Sequence, residues 1–196
     1  LERYGFLPKL LGRFGKDVFY EYIEGRDLQY AEQNFVFEQL GEIGAYVNKL
    51  KAEYNLDRDI EEKLRELVSG KYKPSSKVLM RRKRSQIRKK PKALLSEDES
   101  KKIKCLYYFL KKKTKPEITL DISDYVPGNF RLREHKVYLV DVESIKPSIR
   151  GKGIAKCLRK FCDTEKRKRL FIKGYSKHSS INFLNEAYID FCHLLF

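Results

Sequence analysis

The chain has no tryptophan, one methionine, three histidines and four cysteines in 196 residues. The cysteines, Cys105, Cys157, Cys162 and Cys192, form no CxxC pair, and with so few histidines they argue against a structural zinc site. Four scattered cysteines in a chain this long give no disulfide framework, so a reducing compartment and a cytoplasmic location are expected. No run is long and apolar enough to span a bilayer, and no signal peptide is visible. Acidic residues are outnumbered: 27 Asp and Glu against 43 Lys and Arg leave a net charge of +16. Such a surplus attracts nucleotides, phosphorylated compounds, nucleic acid or acidic membranes without choosing among them.

What is present is enough to fold. Hydrophobic residues make up 41% of the chain, so a core can form. Residues 7–11 and 18–23 read as two short strands joined through Gly12 and Gly15. Val36, Leu40, Ile43, Val47, Leu50 and Tyr54 recur at alternating spacings of three and four, which predicts a helix over 36–54. Ile60, Leu64 and Leu67 predict a second helix, with Gly70 as its stop. Ser96 and Glu99 have capping-box spacing and open a third, with Ile103, Leu106, Tyr107 and Leu110 on its apolar face and Lys111, Lys112 and Lys113 at its cationic end. ITLDI at 118–122 reads as a strand, and residues 129–143 as a hairpin turning at Glu134-His135. A loop with Pro147, Gly151 and Gly153 leads into a helix carrying Ile154, Cys157, Leu158 and Phe161. The cluster Arg159, Lys160 and Lys166 to Arg169 reads as a solvated helix face and turn. A last helix carries Ile181, Leu184, Tyr188, Phe191 and Leu195. The pattern is α+β.

Between the second and third helices, residues 71–95 form a basic insertion. Arg81, Arg82, Lys83, Arg84, Arg88, Lys89, Lys90 and Lys92 would repel one another in a packed element, so they are solvated or hold something anionic, such as RNA or an acidic partner. No aromatic residue interleaves with them, so base stacking is not indicated.

The segment 121–143 carries the chemistry. Asp124 is followed five positions later by Asn129, and across the hairpin come Asp141 and Glu143. Phosphoryl transfer needs a carboxylate to receive the proton of the attacking hydroxyl, and hard oxygens to hold Mg²⁺ against phosphates. Alone, Asp124 and Asn129 could equally shape a Pro-Gly turn, and Glu143 could be a surface carboxylate. Asp141 is the sharper clue, because a carboxylate within the apolar run KVYLVDV needs a partner.

ISDYVPGNFRLREHKVYLVDVES resembles the catalytic region of the aminoglycoside phosphotransferase and choline kinase superfamily, through Asp124, Pro127, Gly128 and Asn129 and then Val140-Asp141-Val142-Glu143. LPKLLGRFGKDVFYEYIEGRDL resembles the strand pair and hinge of the same family. The resemblance implies a protein-kinase-like α+β fold, with a mostly helical C-lobe, a catalytic β-hairpin and a truncated or missing N-lobe. Residues 1–25 would end that lobe and form the hinge, and 26–196 would be the C-lobe. It implies ATP and Mg²⁺ as cofactors, Asp124 as catalytic base, Asn129 and Asp141 as metal ligands, and Glu21, Tyr22 and Ile23 lining the adenine slot. The family's His-Gly before the Asp is Ile122-Ser123 here. The expected function is transfer of the γ-phosphoryl group to a hydroxyl of a small molecule or sugar. The competing expectation is a nucleic-acid- or acidic-partner-binding module on a catalytically degenerate scaffold, with Arg81–Lys92 as its surface.

Overall fold

The computed structural model describes residues 5–29, 32–70 and 93–194. The basic run Arg81–Lys92 lies outside the described residues. Two compact units are present: one gathers the described residues up to Tyr54 with Thr114–Leu194, and the other those within Asn55–Lys113.

In the first unit, β1 (Leu10–Phe14) and β2 (Asp17–Tyr20) form an antiparallel hairpin. A short β3 (Arg26–Asp27) pairs with β5 (Phe130–Arg133), which pairs in turn with β6 (Lys136–Leu139). The β5–β6 turn falls at Glu134-His135, as the sequence predicts, with Glu134 at φ 56°. A separate ribbon joins β4 (Ile118–Ile122) to β7 (Ile145–Ile149). This strand occupies the stretch expected to be a loop. Pro147 fits there because a two-stranded ribbon has only edge strands, where a missing N–H goes unneeded.

The predicted first helix, α1 (Asn34–Asn48), buries Val36, Phe37, Leu40, Ile43 and Val47. It ends six residues earlier than its periodicity suggests, and Leu50 and Tyr54 are each 36% exposed. The cause is local. The Leu50 carbonyl accepts from Leu120 N–H at 2.7 Å, and Lys51 bridges to Thr119, so the chain leaves the helix to join the edge of β4.

Against α1 packs α5 (Glu165–Ser176), a helix that the reading of a solvated face and turn did not anticipate. It buries Phe171, Gly174 and Tyr175. The two backbones nearly touch. A Cβ on Gly41 would come 2.0 Å from the Phe171 carbonyl oxygen, and one on Gly174 would come 1.8 Å from that of Glu38. Before α5 in the chain come α4 (Lys152–Lys160), the expected helix with Ile154 and Cys157 buried, and then Phe161 and Cys162, also buried. The last helix, α6 (Glu186–Leu194), starts later than predicted. Asn185 accepts from Tyr188 N–H at 3.0 Å and fixes its start, so Ile181 and Leu184 lie in the preceding turns. Each fully buried aliphatic or aromatic side chain in this core contributes about 1.5–3 kcal/mol.

In the second unit, α2 (Leu56–Ser69) is capped by Asn55, which accepts from Arg58 N–H, and it ends on Gly70 at φ 69°. The predicted capping box opens α3 (Glu97–Thr114): Ser96 N–H donates to Glu99 at 2.8 Å and Glu99 N–H to the Ser96 hydroxyl at 3.2 Å. Of the expected apolar face, Tyr107 and Leu110 are buried, whereas Leu106 is 46% exposed. Tyr107 and Lys111 both donate to Asp57, each at 2.7 Å. The Lys111 ammonium holds that carboxylate below its usual range.

Candidate phosphoryl-transfer site

Strand β4 carries the chain to Ile122 and releases it into a loop that closes on itself. The Asp124 carbonyl accepts from Val126 N–H at 3.0 Å and from the Asn129 side-chain Nδ2 at 2.9 Å. Pro127–Asn129 makes one 3₁₀ turn, and Phe130 opens β5. On the return strand, Val140 N–H donates to the Asn129 carbonyl at 2.9 Å and Asp141 N–H to the same oxygen at 3.4 Å. The hairpin thus brings Asp124, Asn129 and Asp141 into one hydrogen-bonded group.

Asp141 does not sit inside a strand, as its apolar flanks suggested. Strand β6 ends at Leu139, and Asp141 opens a 3₁₀ turn over Val142–Ser144. Its carbonyl accepts from Ser144 N–H at 3.0 Å and from the Ser144 hydroxyl at 2.6 Å. Its side chain is half-buried and takes no hydrogen bond from any described residue. Asn129 is 9% exposed. Its Nδ2 is held by Asp124, so its Oδ1 is the atom left without a partner among the described residues. Glu143 is exposed.

Two charged groups at this loop escaped the sequence reading. Asp121, on β4, is fully buried and accepts from Ile122 N–H at 2.9 Å, Gly153 N–H at 2.8 Å and Asn48 Nδ2 at 3.2 Å. Burial pushes its carboxyl up to about 6, against the pull of those three hydrogen bonds. An Asp within the apolar strand ITLDI carries the burial cost expected of Asp141, which lies beyond the end of its strand. Asn48 in turn accepts from Tyr175 Oη at 3.1 Å, which ties α1, β4 and α5 together. The second group is Lys156 on α4, whose Nζ lies 2.5 Å from Asp124 Oδ1 and 3.3 Å from the Ser123 carbonyl oxygen. Nothing local in the sequence points to it.

Glu21, Tyr22 and Ile23, expected at a hinge, follow β2. Ile23 is buried, and Tyr22 is 74% exposed with the Arg131 guanidinium 5.7 Å from its ring centre. Arg131 also donates to the Gly25 carbonyl at 3.0 Å, so the segment after Ile23 is fastened to β5, which begins next to Asn129. Glu21 is exposed and pairs through its N–H with the Lys9 carbonyl at 2.8 Å. Further on, Arg26 grips Glu32 with two bonds of 2.5 and 2.8 Å, and holds its carboxyl below the usual range.

Among the described residues, no group of three or more His, Cys, Asp or Glu is placed to hold a metal ion, and no helix is long and apolar enough to cross a membrane.

No family model matches this chain, and no curated protein does. Solved structures do. The ethanolamine kinase of Plasmodium vivax superposes with a TM-score of 0.62 over 97% of this chain and 57% of its own, at 15% identity. The choline kinase LicA of Streptococcus pneumoniae gives 0.60 over 97% and 63%, at 15% identity. A spectinomycin phosphotransferase, solved with ADP and spectinomycin, gives 0.55 over 95% and 60%, at 16% identity. The chain therefore carries the protein-kinase-like fold shared by choline kinases and antibiotic phosphotransferases. It spans less than two thirds of the length of these proteins.

Proposed function

We propose that the protein is an ATP- and Mg²⁺-dependent phosphotransferase that moves the γ-phosphoryl group to a hydroxyl of a small molecule or sugar. The observation that carries this is the pair of oxygens the loop leaves unused. Its backbone groups and the Asn129 amide nitrogen bond one another, yet Asn129 Oδ1 and the Asp141 carboxylate have no partner among the described residues. One amide oxygen and one carboxylate, with phosphate and water completing the shell, suit Mg²⁺, which takes few protein ligands. When bound, the ion would neutralise charge on the phosphates.

In this reading Asp124 receives the proton of the acceptor hydroxyl as its oxygen bonds to the γ-phosphorus and the bond to the β-phosphate oxygen breaks, releasing ADP. Catalysis is mainly positioning and charge neutralisation. The backbone at Glu21, Tyr22 and Ile23 would meet adenine. Residues 1–25 would serve as the end of an N-lobe and hinge, and 26–196 as the C-lobe. The AMP and ADP found in structures of this fold support the nucleotide assignment.

The test is transfer of labelled phosphate from MgATP by the full-length protein, with Asp124→Ala and Asp141→Ala beside it. Turnover lost by about 10²–10⁴-fold in both variants is the expected result. No turnover in the wild type would refute the reading and leave polyanion binding, which the net charge of +16 favours, as the function to pursue.

A further inference from the structure

The proposed chemistry gives no role to Lys156, the cation that reaches the loop from α4. Lys156 contacts Asp124 Oδ1 and the Ser123 carbonyl, and its side chain is 19% exposed against 31% for Asp124. One turn earlier on α4, Gly153 N–H donates to the buried Asp121 carboxylate at 2.8 Å. Each contact joins residues 32 positions apart in the chain. Asp121 and Asp124 on one side, and Gly153 and Lys156 on the other, advance in step. Two attachment points almost one helical turn apart fix a helix in rotation as well as in position. The close approach requires a glycine, since a Cβ at 153 would lie 1.9 Å from the Ile122 carbonyl oxygen. So α4 is keyed to this loop by a buried carboxylate, and the keyed helix delivers an ammonium to Asp124.

We infer that Lys156 is a positioning residue of the transfer reaction: by occupying Oδ1 of Asp124 it fixes the carboxylate plane and leaves Oδ2 for the acceptor hydroxyl. The inference rests on the phosphotransferase reading. Proton acceptance needs one oxygen aligned within hydrogen-bond reach of the hydroxyl, and a carboxylate on a loop rotates unless something holds it. The ammonium also offsets the charge of Asp124, which otherwise opposes the approach of nucleotide phosphates. A merely stabilising ion pair, still partly solvated, would affect folding slightly and catalysis not at all.

The experiment compares full-length wild type, Lys156→Ala and Lys156→Arg for kcat and for KM of MgATP, with Tm measured alongside, and repeats Lys156→Ala in methylammonium. The expected result is a kcat lowered about 10–100-fold in Lys156→Ala, as for loss of a group that orients a catalytic base. KM for MgATP stays within about twofold. Lys156→Arg and methylammonium each recover part of kcat. A wild-type kcat in Lys156→Ala, or a loss that neither Arg nor methylammonium relieves, overturns this role while the transferase stands. A wild type without turnover removes the transferase reading and this inference with it.

Discussion

The phosphate end and the adenine end of the proposed nucleotide site are built in opposite ways. At the phosphate end the segment from Asp124 to Ser144 is joined by its own hydrogen bonds, Tyr125 lies close against Gly44 of α1, and Gly153 of α4 lies close against Ile122 of β4. At the proposed adenine end the β1–β2 hairpin leaves Leu11 64%, Phe14 81% and Phe19 53% exposed, and of Glu21, Tyr22 and Ile23 only Ile23 is buried. Geometry at the first end is imposed by packing, where a shift of one methyl group is felt. Within the hairpin, geometry is imposed mainly by strand pairing and by an exposed bond from Arg13 Nε to the Gly15 carbonyl at 3.0 Å, so changes of its exposed apolar side chains should matter little to the stability of the described fold.

The largest effect that separates the two ends is expected at Gly153. Gly153→Val puts side-chain atoms where the Ile122 carbonyl sits and forces α4 off β4. A loss of about 3 kcal/mol or more is expected in urea unfolding, together with loss of transfer. An unchanged midpoint would show that the docking of α4 is loose.

A middle-sized effect comes from Asp121 and has a sign unlike that of the paired carboxylates. Burial pushes Asp121 up to about 6 from 3.8, so the folded protein takes up this proton before the unfolded chain does. Below the lower value both states are protonated and the group is neutral to stability. Between the two values its contribution declines as pH rises, and above the higher one a constant cost of about 3 kcal/mol remains. Glu32 and Asp57, held low by Arg26 and Lys111, act the other way: their stabilisation is present above the usual carboxylate range and lost as pH falls through their depressed values. The stability of wild type relative to Asp121→Asn should therefore fall between about pH 4 and pH 7, by up to about 3 kcal/mol. A difference that does not move with pH would contradict the burial of this charge.

The smallest effect belongs to the hairpin. Phe14→Ser removes a side chain that is 81% exposed, and a change within about 0.5 kcal/mol is expected in the same unfolding assay. A loss of several kcal/mol would show that this end is packed as tightly as the other.

What the sequence disclosed was whatever repeats or caps locally. The Glu134-His135 turn, the Ser96–Glu99 box and the Gly70 stop each lie within a few residues, and the structure has all three. Helix α5 was hidden because EKRKRLFIKGYS shows few apolar residues and because its closest contact with α1 runs through a glycine, which has no hydrophobic signal. Strand β7 was hidden by Pro147, which reads as a breaker until its edge position is known. Asp121 and Lys156 leave no local signature because each has a partner 32 residues away, and the apolar flanks of Asp141 mimic those of the truly buried Asp121.

The central claim is that Asn129 and Asp141 hold a metal-bound nucleotide. The direct measurement is the rise in Tm of the full-length protein with MgADP, compared with ADP in EDTA, for wild type, Asn129→Ala and Asp141→Ala. At about 100 times Kd the wild type should gain roughly 5–10 °C with Mg²⁺, and both variants should lose most of that gain. An equal, metal-independent rise in all three proteins would contradict the claim.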